Sequence, residues 1–253
     1  MENLVKINER LEDLDLNGLK IIQNPDYFCF GIDAVLLGWF ASKAVTRKTK
    51  TIDLGTGTGI LPLLLYGRTG TRHIDALEIQ ENMVDLARRN VILNHLEEVI
   101  HIYQGDIRNP GNLFHSYIYD IIVSNPPYMR MDRGLKNPSE TVAISRHELL
   151  CNMDDIASFA KTMLKDRGKL FLVQRADRLG DVIYALRSKG LEPKRLMNVH
   201  PFASRPANLI MIEAMKKGRP SVIIEPPLYV YNDDGTYTDA INEIYGTDGP
   251  QPR

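Results

Sequence analysis

Thr51-Ile52-Asp53-Leu54-Gly55-Thr56-Gly57-Thr58-Gly59 decides the fold of this chain. Two apolar residues, Ile52 and Leu54, flank an acid, and three glycines follow at every second position. Such a stretch reads as a short buried strand that breaks into a Gly-rich turn and then a helix. The glycines let the backbone approach a ligand closely, and the free N–H groups of the next helix face it. Dinucleotide loops space their glycines G-x-G-x-x-G. Here the third glycine comes one residue early, at Gly59, and Ile60 holds the expected place, which argues against NAD or FAD. Taken alone, the three glycines also suit a tight strand-to-helix turn with no ligand.

Working outward, strands and helices alternate. Residues 60–66 read as a helix with Pro62 in its first turn, where a missing N–H costs little, and residues 67–70 end it. Residues 73–78 read as a strand with Glu78 at its tip, 19 residues past Gly59. An α/β nucleotide site places a carboxylate for ribose hydroxyls there. A helix over 81–94 and a strand over 99–103 follow, with Asp106 just beyond. The run 119–124 is apolar enough for a strand covered on both faces, and it ends in Asn125-Pro126-Pro127-Tyr128. Asn152 or Asp154 opens a helix that Gly168 stops; a strand over 170–174 and a helix from Asp177 come next. Strands over 191–199 and 207–214 close the series, joined by too few residues for a crossover helix. The expected fold is α/β: a doubly wound, seven-stranded, mostly parallel Rossmann-like sheet whose last strand is antiparallel.

The loop at Asp53–Gly59 resembles the D-x-G-x-G-x-G loop of class I S-adenosylmethionine (SAM) methyltransferases. Asn125–Tyr128 resembles the N/D-P-P-Y/F/W sequence that ends the fourth strand in members acting on planar exocyclic amines or amides. On that reading, Asn125 Oδ1 and the Pro126 carbonyl accept the two hydrogens of an amino group and draw its nitrogen towards tetrahedral geometry. Pro126 and Pro127 fix φ and so preorganise the acceptors, and Tyr128 stacks on a base taken out of its own stack. Without the Gly-rich loop, a rigid Pro-Pro turn with a packed Tyr would be the better account.

The chain has 253 residues, 43% of them hydrophobic, which suits one α/β domain with additions. Residues 35–41 and 60–66 are the longest apolar runs, too short to span a membrane and broken by Gly38 and Pro62. The start carries neither a basic stretch nor an apolar signal core. Only Cys29 and Cys151 are present, and the six His lack ligand spacing. A reduced, cytoplasmic, metal-free protein is expected. Net charge is −1 but uneven: residues 130–219 hold 18 Lys and Arg against 10 Asp and Glu, while 221–253 hold 1 against 6. The basic surplus suits a phosphate-binding face and equally a set of solvated helices.

Residues 2–20 read as a strand or hairpin laid against the domain. Tyr27, Phe28 and Phe30 precede Asp33, which suits both a helix cap and part of a lid. Residues 226–238 read as an extended segment and turn, with Thr238 capping a last helical turn; 246–253 read as a disordered tail. Ile32-Asp33-Ala34-Val35-Leu36-Leu37, residues 53–59, Asn125–Tyr128, Arg146-His147-Glu148 and residues 226–246 together resemble the bacterial tRNA(Val) adenine-N6 methyltransferase family. The resemblance implies SAM as cofactor, S-adenosylhomocysteine as product and tRNA as partner, with no metal or membrane. It implies cofactor contacts from Asp53, Gly55, Thr56, Gly57 and Gly59, and from Glu78, Ile79, Asp106 and Ile107, with Asn125 and a lid of Phe30 and Asp33. Asn125, Pro126, Pro127 and Tyr128 would be catalytic; Tyr128, Arg130, Arg133 and Arg146 would hold substrate. The expected division is a lid extension over 1–38, a methyltransferase domain over 39–220 and a C-terminal segment over 221–253, in a monomer. Three rivals share features of the site: protein glutamine N5-methylation, ribosomal RNA guanine N2-methylation, and SAM or RNA binding without turnover. The first usually needs an N-terminal helical domain that the residues before Asp53 cannot supply.

Overall fold

The computed structural model describes residues 4–27, 29–111, 113–126 and 152–246. A hairpin opens them, β1 (Arg10–Asp13) and β2 (Lys20–Gln23), followed by α1 (Ile32–Ser42). Next come β3 (Lys50–Leu54), α2 (Ile60–Thr69), β4 (His73–Glu78), α3 (Glu81–Leu93), β5 (Ile100–Gln104) and β6 (Tyr119–Ser124). After the gap run α4 (Met153–Met163), β7 (Leu164–Arg175), α5 (Leu179–Ser188), β8 (Leu191–Phe202) and β9 (Leu209–Lys216). The tail adds β10 (Ile223–Ile224), β11 (Leu228–Tyr231) and α6 (Asp239–Tyr245).

The sheet order is β5-β4-β3-β6-β7-β9-β8. Only β9 runs against its neighbours, which is the expected antiparallel final hairpin. The seven expected strands are joined at the β8 edge by β10 and β11, both parallel to β8. Side chains alternate across the central strands as a pleat requires. Ile121 and Val123 face a core with α1, α2 and α6, while Ile122 faces one with α4 and α5.

The first helix after the Gly-rich turn ends inside the expected stretch 67–70, whereas Gly168, read as a helix stop, does another job. Helix α2 continues through Gly67 to Thr69 and ends at left-handed Gly70 (φ 62°). A Cβ at Gly67 would lie 2.6 Å from Leu16 Cδ2, so this glycine admits the hairpin against the helix. Helix α4 stops at Met163, and β7 starts at Leu164 rather than residue 170. Gly168 lies inside β7, where the pairing with β6 jumps from Tyr119–Leu164 to Ile121–Lys169. A Cβ there would meet the Lys165 carbonyl at 2.9 Å and the Asp120 carbonyl at 3.2 Å. Helix α4 does begin as expected: Asn152 and Asp155 cap each other's backbone N–H. Asp33 is not the cap of α1; Gly31 holds that position and Asp33 sits in the first turn. Thr238 caps α6, and the expected tail over 246–253 lies, after Gly246, outside the described residues. No helix among the described residues is long and apolar enough to cross a membrane.

Candidate active site

The parallel strands β3, β4 and β6 deliver their C-terminal tips to one end of the sheet, with Leu54 level with Leu77 and Ser124. Beyond Leu54 the chain turns through Gly55, Gly57 and Gly59, at φ of 70°, 56° and 82°. Left-handed backbone at three alternate positions is what L side chains resist, and this explains the glycine spacing. Gly55 and Thr56 both donate their backbone N–H to the Leu77 carbonyl, fastening the turn to β4.

Asp53 is fully buried, and neither carboxylate oxygen has a hydrogen-bond partner among the described residues. Burial pushes its pKa up to about 7; the negative charge of Glu78 adds to the rise, and the nearby Thr56 hydroxyl offsets part of it. The Thr56 hydroxyl is itself buried without a partner. Buried acceptors are ordinarily satisfied, so this pair is an exception at the tip of β3. Glu78, 5% exposed, accepts the Gly57 N–H at 2.9 Å on one oxygen, and those of Ile79 (2.9 Å) and Gln80 (3.0 Å) on the other. Three amides thus fix its carboxylate at the lip of the loop. Asp106, beyond β5, takes the Arg108 backbone N–H and guanidinium. The Arg108 bonds hold its carboxyl below the usual range. Ile107 follows it, half-buried.

Asn125 and Pro126 leave β6 directly beside the Gly-rich turn. The Ser124 hydroxyl donates to the Leu54 carbonyl at 3.0 Å, pinning the two strand tips together. The Asn125 amide donates to Asp33 Oδ2 at 3.1 Å. The structure therefore brings Asp33, Asp53, Gly55, Thr56, Gly57, Gly59, Glu78 and Asn125 to one end of the sheet. Phe30, half-buried two residues before α1, has its N–H held by Gln23 Oε1. Phe28, Pro127, Tyr128, Arg130, Arg133 and Arg146 lie outside the described residues.

A family model described as the methyltransferase small domain matches residues 31–181. The chain belongs to that family. A tRNA1(Val) (adenine(37)-N6)-methyltransferase of Parabacteroides distasonis is 31% identical, over 72% of this chain and 75% of that protein. One of the same name from Trichodesmium erythraeum is 29% identical over 85% of this chain and 90% of its own length. Among solved structures, a predicted O-methyltransferase from Agrobacterium tumefaciens superposes with a TM-score of 0.67 at 20% identity, covering 84% of this chain and 95% of that one; this likeness speaks for the fold. The cofactor of this methyltransferase is SAM. The orphaned acceptors of Asp53 and Thr56, the left-handed glycines and the fixed Glu78 carboxylate fit a ligand that carries cationic and hydroxyl groups. Among the described residues, no cluster of three or more His, Cys, Asp or Glu could hold a metal ion.

Residues that the sequence reading passed over build this site. Asn90, fully buried on α3, accepts the Ile22 N–H and donates to the carbonyls of Ile22 and Thr58, tying the hairpin to the Gly-rich turn. Its signal was a polar residue within the stripe of Met83, Ala87 and Val91. Ser124 gave no such signal.

Proposed function

We propose that this chain methylates the exocyclic N6 of an adenine beside the anticodon of a tRNA. The observation that carries the reading is the placement of Asn125. It emerges one residue past the Ser124–Leu54 contact, beside the turn that marks the cofactor loop. In this reading the cofactor is held by Asp53, Gly55, Thr56, Gly57 and Gly59, by Glu78 and Ile79, and by Asp106 and Ile107, under a lid of Phe30 and Asp33. Bound there, SAM supplies an electrophilic methyl carbon on a sulfonium leaving group. Asn125 Oδ1 and the Pro126 carbonyl accept the amino hydrogens and aim the nitrogen lone pair; Tyr128 stacks on the base. Positioning supplies most of the catalysis, and no strong general base is needed.

RNA contacts come from the basic stretch 130–219, including Arg130, Arg133 and Arg146, more than from the acidic tail. Three of the tail's tyrosines are engaged with each other: Tyr237 stacks on Tyr231 and on Tyr245 at 5.4 and 5.6 Å. We place the enzyme in the cytoplasm as a monomer, with residues 1–38 as lid extension, 39–220 as catalytic domain and 221–253 as tail.

Incubation with labelled SAM and total tRNA, followed by nucleoside mapping, tests the reading. N6-methyladenosine is expected in one tRNA, and label in protein with none in RNA would end it. Asn125→Ala should lower transfer by about a hundredfold or more while SAM affinity changes little. Affinity for RNA should drop steeply with added salt.

A further inference from the structure

Asn125 is held from two sides. Its backbone is fixed through Ser124 to β3, and its side chain through Nδ2 to Asp33 Oδ2 at 3.1 Å. Asp33 is 7% exposed and lies 92 residues away in sequence. Its other oxygen accepts the Ala34 N–H at 2.9 Å, a group the Gly31 carbonyl also reaches at 3.2 Å. Helix α1 therefore has a second acceptor for that N–H, and the bond to Asn125 calls for a separate explanation.

A carboxamide has a donating end and an accepting end, exchanged by a half-turn about its last bond. An ionised carboxylate only accepts. Turned the other way, Asn125 would press its own oxygen against Asp33 in a poorly hydrated place, with no proton between two acceptors. The bond from Asn125 Nδ2 to Asp33 Oδ2 thus favours one of the amide's two orientations over the other.

We infer that Asp33 is a positioning residue that locks the Asn125 amide with its oxygen turned towards the substrate amino group. The inference rests on the proposed reading of Asn125 as the acceptor of that group. It gives Asp33 a task different from covering the cofactor.

Swapping the two groups tests it. Asp33→Asn frees the amide to turn, and methyl transfer at saturating SAM and tRNA should fall roughly tenfold to a hundredfold, a loss that saturation with SAM does not restore. Asn125→Asp sets two carboxylates against each other and should fall at least as far. The double variant D33N/N125D rebuilds the bond with reversed polarity and leaves an acceptor for the substrate. It should recover about tenfold over Asn125→Asp alone. A double variant no better than the worse single one overturns the proposal. So does an Asp33→Asn enzyme that loses SAM affinity yet keeps its rate at saturation.

A second readout does not depend on the substrate. The side-chain amide resonances of Asn125 in a 15N spectrum are identified by their loss in Asn125→Asp. In Asp33→Asn they should shift and exchange faster with water. Resonances that stay put overturn the contact. Resonances that move while wild-type protein leaves tRNA unmethylated uphold the contact and reject the substrate assignment.

Discussion

Two acids are buried in one sheet and are treated in opposite ways. Asp53 on β3 is sealed from water with both oxygens unpartnered. Glu213 on β9 is 2% exposed, and a cation reaches each of its oxygens: Lys169 Nζ at 2.7 Å and Arg195 Nη1 at 3.0 Å. Sheet topology supplies both partners, since β9 lies between β7, which carries Lys169, and β8, which carries Arg195 opposite Glu213. Arg195 also pairs with Glu225 and rests over the Phe40 ring. A buried charge given its counterions is architecture. A buried acid left without them, beside a loop whose glycines are all left-handed, is what we propose as part of the cofactor site.

The largest expected effect separates these roles. Glu213→Ala leaves Lys169 and Arg195 with no shared counterion and should destabilise the fold by about 3–5 kcal/mol in urea unfolding. SAM affinity of the folded fraction should stay as it was. A stability loss below about 1 kcal/mol would show that solvent or Glu225 takes over the pairing, and the architectural reading of Glu213 would fail.

For Asp53 the sign is reversed. Its pKa is raised to about 7 by burial, so the folded chain holds that proton more tightly than the unfolded chain. Protonation then favours folding. The contribution is fully present below the ordinary carboxylate value of about 4 and is lost as pH climbs towards about 7, on the order of 4 kcal/mol in all. Other carboxyls titrate too, and Asp85 and Asp106, held low by their cationic partners, pull the opposite way. The measurement is therefore the difference between wild type and Asp53→Asn in cofactor-free protein. Wild type should lose ground to the variant as pH rises across that interval, and parallel curves would refute the account.

Much of this architecture was legible because short-range signals carry it. The bounds of β6, residues 119–124, follow from a mostly apolar run around Ile121–Val123 that two prolines cut off just beyond Asn125, and the antiparallel end of the sheet follows from a connection too short to cross over. Gly168 misled because a glycine marks close approach as readily as a stop, and only the packed partner tells which. The partners of Glu213 were hidden for another reason. They depend on the register of three strands, and a shift of one residue would turn Glu213 to the other face. In the site, the loop's glycines and Glu78 could be placed by spacing. The three amides on Glu78 and the bond from Asp33 to Asn125 could not, because they join segments that meet only once the sheet is assembled.

The smallest effect bears most directly on what the unpaired acid is for. A cationic ligand near Asp53 is attracted to the carboxylate and not to the acid, so binding must expel the proton at any pH below about 7. SAM affinity should thus increase with pH up to neutrality and level off above it. Titration calorimetry in two buffers of different ionisation enthalpy should detect a fraction of a proton released per SAM near that pH. Asp53→Asn should weaken SAM about tenfold, the range of one hydrogen bond to a charged group, and abolish the proton release. Equal affinity and equal release in the variant would mean that Asp53 does not answer to the cofactor. The contrast with Glu213 would then reflect how each acid is packed rather than what each acid does.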